Sequence, residues 1–330
     1  MAVPYFQIIH FHFTIPLKEI SFLEVQSATT LYDEALAETL FASAYKQEIK
    51  AKLMQLEKAV KDKEQVMVYF SSSFLSLLEK EDPDKLEEIA YLVKKERIIL
   101  IGSCAYSSFS YLCHAALFTE EVKLHQQHLQ QYFNCDAKYF INTACLYDNQ
   151  LAELLQPFHY ETVIATANNW HLAGRQASQL FLSAGKEALQ IILANGDGNA
   201  QQQFGLVNGY GSAYSDEAFQ SISKETLPAL KQKNAQEGHI YSVSLPISSP
   251  EWQYNIPQYM ANPLQKSLVQ EGHRLMEVKG GQLKATDLKT LMFLFQPEQL
   301  LKMNHSSQAS SYQHFIHSMN ILTAIGLKVA

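Results

Sequence analysis

The sequence predicts an α/β protein in which a parallel sheet is flanked by helices. Short apolar runs of strand length alternate with helix-period segments through residues 7–165, the pattern that successive βα units produce. From residue 251 onward the texture is helical, so a first region over 1–250 and a helical region over 251–330 are expected, the second packed on the first. With 330 residues, 47% hydrophobic and 18% charged, the chain can bury a large core of this kind.

Residues 7–13 read as a buried first strand, and apolar positions at helical spacing (Leu36, Leu40, Ala44, Leu53, Leu56, Val60) follow over 31–63. A strand at 66–70 leads to a helix at 73–79. Asp82-Pro83-Asp84 then opens a helix to residue 97, with proline where helix starts favour it. Residues 98–102 return as a short strand, and Thr119-Glu120-Glu121 is the expected start of a helix ending at 133. A strand at 139–142, a helix at 149–155 and a strand at 162–165 complete the regular alternation. Beyond it, 180–182, 189–193 and 240–245 are strand candidates, and 195–203 is a loop rich in Asn, Gly and Gln.

Composition excludes several function classes. A balance of 26 Lys+Arg against 33 Asp+Glu, with no basic run to follow a phosphate backbone, argues against nucleic acid as a partner. The first residues enter the strand without the basic flank and cleavage site of a secretory signal, and no apolar stretch has bilayer length; a cytoplasmic location without a membrane partner is expected. Cys104, Cys113, Cys135 and Cys145 lack CxxC spacing, so reduced thiols are expected. Neither cofactor nor metal is expected. His125 and His128, like His314 and His317, are three apart on expected helices, but no third ligand is evident and surface-helix positions explain them more simply.

The segment Phe140-Ile141-Asn142-Thr143-Ala144-Cys145-Leu146-Tyr147-Asp148-Asn149 resembles the family 57 glycoside hydrolase segment written F-R-N-T-E-L-I-Y-N-N. Its neighbours agree in order. Val68-Tyr69-Phe70-Ser71-Ser72-Ser73 is similar to the family's strand ending in S-x-S-G, and Phe118-Thr119-Glu120-Glu121-Val122 with His125 to F-x-x-E-V-x-x-H. The run from Asn255 through Asn262 to Gln265 resembles D-L-S-A-W-L-G-N-x-x-Q, and the run from Tyr312 to Leu322 resembles Y-x-x-F-I-x-x-M-N-x-L. The resemblance implies a distorted, incomplete TIM-like barrel of seven strands followed by a C-terminal helical bundle.

The same resemblance places the family's catalytic nucleophile at Ala144 and, if Val207-Asn208-Gly209-Tyr210 is the counterpart of M-D-Y-E-T-F-G, its acid at Gly209. No acidic residue lies between Asp197 and Asp216 to take that place. A retaining glycosidase needs two carboxyl groups about 5 to 5.5 Å apart, which a methyl group and a hydrogen cannot supply. Other polar positions change too. A-E-T-Y-Y-H corresponds to Gly102-Ser103-Cys104-Ala105-Tyr106-Ser107, T-E-G to Thr166-Ala167-Asn168, T-S-D-H to Gln296-Pro297-Glu298-Gln299, and H-Q-P to His12-Phe13-Thr14.

A catalytically degenerate family member is therefore expected, with no catalytic residue. It either binds an α-glucan oligosaccharide or partners an active glycoside hydrolase paralogue of glycogen or maltodextrin metabolism. His10, His12, Ser103, Tyr106, Asn142, Trp170 and Tyr210 are the candidate substrate-binding residues. Asp148, Asp197, Asp216 and Glu217 read as turn or solvated-surface acids. The alternative is an active hydrolase or 4-α-glucanotransferase with relocated carboxylates, such as Asp148 and Asp216. A deacetylase-like metal enzyme would need an Asp with two His in the pocket, for which only the His10/His12 strand is suitably placed.

Overall fold

The computed structural model describes residues 5–61, 66–166, 169–172, 174–175, 181–185, 188–194, 205–207, 210–212, 220–223, 239–247, 260–304 and 308–328. Among them, five strands follow one another in parallel: β1 (Tyr5–Phe11), β2 (Val66–Phe70), β3 (Ile98–Gly102), β4 (Tyr139–Ile141) and β5 (Thr162–Thr166). Next come β6 (Phe181–Ser183) and β7 (Gln190–Ala194), then a small hairpin of β8 (Gly205–Val207) and β9 (Tyr210–Ser212), and finally β10 (Gln220–Ser223) and β11 (His239–Tyr241). The main sheet has the order β10-β1-β2-β3-β4-β5-β7-β6-β11, with β7 parallel to β5, β10 antiparallel to β1 and β6 antiparallel to β7.

β10 also lies against β7, so the sheet curls into an incomplete barrel. Alternation along each strand then divides the apolar side chains into two sets. Ile8, Met67, Tyr69, Ile101, Ile141, Ile164 and Ile192 form a cluster of their own, the barrel interior. The opposite faces, including Val66, Val68, Phe70, Phe140 and Val163, join the helices in one much larger cluster. Burial on both sides explains why every residue of Val66–Phe70 is apolar and buried.

The expected helix over 31–63 is a single rod: α1 (Glu34–Ala44), a π-helical turn at Tyr45–Ile49, and α2 (Lys50–Lys61). Ser71 caps α3 (Ser72–Glu81) and Asp82 caps α4 (Pro83–Lys94). α4 stops short of residue 97 because Glu96 takes a left-handed conformation, φ 54°. A four-residue turn, α5 (Ser110–Cys113), precedes α6 (Ala115–Phe133). α6 thus begins before the expected Thr119; its cap is His114, whose Nδ1 accepts from Ala116 N at 3.1 Å. α7 (Asn149–Leu155) and α8 (Asn169–Leu172) complete the helices of this part.

The later helices are α9 (Pro263–Lys279), α10 (Ala285–Leu294), α11 (Pro297–Leu301) and α12 (Gln308–Leu327). The N-x-x-Q motif is a capping box: Asn262 Oδ1 accepts from Gln265 N at 2.9 Å and Gln265 Oε1 from Asn262 N at 3.3 Å. Long-range hydrogen bonds tie these helices to the barrel loops, from Ile15 N to Gln296 Oε1 (3.2 Å), Gln296 Nε2 to Tyr106 O (3.1 Å) and Asn320 Nδ2 to Ile20 O (2.8 Å). No helix among the described residues is long and apolar enough to cross a membrane.

Candidate functional site

The carboxyl ends of the parallel strands gather the polar side chains that the strands themselves lack. His10 and His12 share the face of interior Ile8, because side chains two apart on a strand point the same way. His12 is 3% exposed, and neither of its ring nitrogens has a hydrogen-bond partner. His10 is half-buried with Nε2 unpaired, its ring edge-on to Tyr69 at 5.5 Å. Burial pushes the His10 pKa down to about 4; burial and then the neighbouring His10 push that of His12 to about 3. Both rings are therefore neutral near pH 7. The Thr14 hydroxyl, next in line, faces the Glu298 carboxyl.

β4 ends on Asn142, whose Oδ1 accepts from Thr143 N at 2.8 Å and from the Cys104 thiol at 3.6 Å, while Nδ2 is unpaired. The Thr143 hydroxyl lies beside the Cys104 thiol. Ala144 (φ 54°, ψ 25°) and Cys145 (φ 52°) then take two successive left-handed conformations. For non-glycine residues such geometry costs on the order of 1–3 kcal/mol each. At the end of β5 the Thr166 hydroxyl is buried and unpaired, and so is Nδ1 of His171 on α8. Buried polar atoms are normally satisfied, so the unpaired ones at the ends of β1, β4 and β5 make this end of the barrel the candidate site.

The loop after β3 is built differently. Glu121 on α6 is fully buried and accepts from Tyr106 N (2.9 Å), Ser108 N (3.4 Å) and the hydroxyls of Ser108 and Ser110. Burial raises its pKa and these donors oppose the rise. His125, one turn on, accepts from Ser103 N through Nδ1 (3.2 Å) and donates from Nε2 to Phe70 O (3.0 Å). The expected surface position for His125 is thus corrected: it is fully buried, joining the ends of β2 and β3. His128 is half-buried against the Ser72 hydroxyl at 2.6 Å. His314 and His317 likewise donate to the carbonyls of Gln299 and Ile20, at 3.0 and 3.1 Å.

Of the sequence candidates, His10, His12, Asn142 and Ser103 lie at strand ends; Ser103 is buried, its backbone held by His125. Tyr106 is placed elsewhere, packed on Phe293 at 4.6 Å in a cleft of about 140 Å³ bordered also by Tyr32, Ser72, His128 and Lys289. Trp170 belongs to α8 and Tyr210 to β9, but their side chains, and Gly209, Asp197, Asp216 and Glu217 altogether, lie outside the described residues. Asp148 is corrected from solvated to buried: at 4% exposure it caps α7 through Leu151 N and accepts from the Tyr111 hydroxyl.

One acid escaped the sequence reading. Glu298 is buried beside the Thr14 hydroxyl with Oε2 unpaired, and burial pushes its pKa up to about 7. The signal was present, since Glu298 stands at the Asp of T-S-D-H and keeps a carboxyl there.

The profile of Glycosyl hydrolase family 57 matches residues 8–233, which include the second half of β1, all of β2 to β7 and every strand end described above. The chain belongs to glycosyl hydrolase family 57. Among solved structures, this family 57 protein is similar to a branching enzyme from Thermococcus kodakaraensis, in complex with glucose, at 9% identity and TM-score 0.59, over 94% of this chain and 88% of that one. It is also similar to the branching enzyme of Pyrococcus horikoshii, at 11% identity and TM-score 0.51, over 97% and 79%. A 4-α-glucanotransferase from Thermococcus litoralis matches 73% of this chain at 15% identity and TM-score 0.45, and the chain spans 34% of that enzyme's length. At such identities the shared property is the fold. None of the curated proteins matches the chain.

Proposed function

We propose that this family 57 protein binds an α-glucan oligosaccharide at the carboxyl-terminal mouth of its barrel without hydrolysing it. The observation that carries this reading is the set of unpaired, uncharged hydrogen-bonding groups on His12, Asn142 and Thr166. Neutral imidazole, hydroxyl and amide groups both donate and accept, as sugar hydroxyls do. These atoms are shielded from solvent here, so ligand entry requires a rearrangement at the mouth and slow association follows. Ala144, at the position aligned with the family nucleophile, has a left-handed backbone and offers only a methyl group.

Calorimetric titration with maltooligosaccharides tests the proposal. Binding is expected, with at least a tenfold loss of affinity in His12→Gln. Absence of binding would leave a partner role beside an active paralogue. Glu298 favours a second reading, an active hydrolase or 4-α-glucanotransferase with relocated acids, because a carboxyl that is half-protonated near pH 7 suits a general acid. Asp148 does not supply its counterpart, being committed to the α7 cap and Tyr111.

A further inference from the structure

We propose that His114, His273 and Glu277 form a binding site for one divalent transition-metal ion of the zinc type. His114, before α6, meets His273 and Glu277 on α9, and the three side chains present ligand atoms that all lie within 4.8 Å of one another. His114 Nε2 is 2.9 Å and His273 Nε2 3.9 Å from Glu277 Oε1. Ligands around a tetrahedral zinc, at bond lengths near 2.0 to 2.1 Å, sit about 3.3 Å apart, so side-chain shifts on the order of 1 Å close the set.

A second observation concerns protons. Nδ1 of His273 faces the Cys113 carbonyl at 2.8 Å and can only donate there. With the proton held on Nδ1, Nε2 of the neutral ring is left as a lone pair 3.9 Å from the Glu277 carboxylate, free to ligate a metal ion that the carboxylate also reaches. The carbonyl that fixes this tautomer is the orienting partner metal-bound histidines use. The close approach is built into the fold: a Cβ at Gly272 would collide with Phe295, so only glycine lets α9 seat beside Cys113 and bring His273 to it.

His114 is the weaker ligand. Its Nδ1 accepts from Ala116 N, so its proton sits on Nε2 and is given to Glu277 in the metal-free state. Ligation through Nε2 moves that proton to Nδ1 and gives up the α6 cap. His273 and Glu277, one helical turn apart on α9, are accordingly the primary anchor, with His114 closing the site and water filling the fourth position. Two imidazoles and one carboxylate select zinc, cobalt, nickel or copper over magnesium and calcium. The bound ion would clamp α9 to the α5–α6 junction.

The test is zinc titration of the full chain, free of affinity tag and stripped with chelator, followed by calorimetry and thermal unfolding, with cobalt(II) absorption reporting the coordination. One equivalent is expected to bind. His273→Ala and Glu277→Gln should each weaken it at least tenfold, and zinc should raise the unfolding temperature of the parent but not of His273→Ala. Both positions are largely exposed, so folding of the variants is not at stake. The proposal is overturned if zinc fails to bind, or if it binds equally well to both variants.

Discussion

The barrel mouth buries polar side chains in two places and treats them oppositely. Beside β3, Glu121 accepts from four donors and His125 uses both ring nitrogens. At the ends of β1 and β4, His12 uses neither nitrogen, and Asn142 leaves its Nδ2 donor open. Depth of burial therefore does not distinguish the two places; satisfaction does. The β3 side has its partners within the chain and holds its loop in one shape, whereas the β1/β4 side leaves hydrogen-bonding capacity unused.

The largest effect that sharpens this contrast is expected at Glu121. Glu121→Ala strands two backbone amides and two hydroxyls in the interior and should cost about 3–5 kcal/mol in urea denaturation. His12→Gln, at equal depth, breaks no hydrogen bond and should cost less than about 1 kcal/mol. Equal losses at the two positions would erase the distinction.

Acid should act next most strongly. His10, His12, His125 and His314 have pKa values lowered from 6.5 to about 4, 3, 4 and 4 by burial, so below pH 6.5 the unfolded chain takes up protons that the folded one refuses. Their effect is to make stability fall as pH drops from 6.5 toward 4. Glu298 opposes them: its pKa is raised from 4.5 to about 7, so its contribution is present below pH 4.5 and is lost as pH rises toward 7. Glu121, also raised, acts in the same direction as Glu298. Four groups outweigh two, and net stability should rise by on the order of a few kcal/mol between pH 4.5 and 6.5. Glu298→Gln should steepen that rise, as chemical denaturation across the range will read.

The smallest effect is expected at Ala144. Glycine has no penalty at φ 54°, so Ala144→Gly should stabilise the fold by about 1 kcal/mol, read as a higher unfolding midpoint.

Much of the fold was legible because it rests on local periodicity. The bounds of Val66–Phe70, Ile98–Gly102 and Asn149–Leu155 follow directly from apolar runs and flanking polar residues. The start of α6 was missed because its cap is a histidine, a residue without strong cap preference, while Thr119 five residues on looks like a better one. The site was half legible. Strand alternation put His10 and His12 on one face, but whether a polar atom is satisfied depends on partners far away in sequence. His125 reaches back 55 residues to Phe70, and His114 meets Glu277 across 163. Asp148 was misread for a related reason, since the hydroxyl that engages it comes from Tyr111.

The most direct measurement is a single titration of the full chain with maltooligosaccharides in which binding heat and newly formed reducing ends are followed together. The account predicts saturable heat without reducing ends, with the heat much weakened in His12→Gln. Release of reducing ends that disappears in Glu298→Gln would contradict it and establish a working hydrolase.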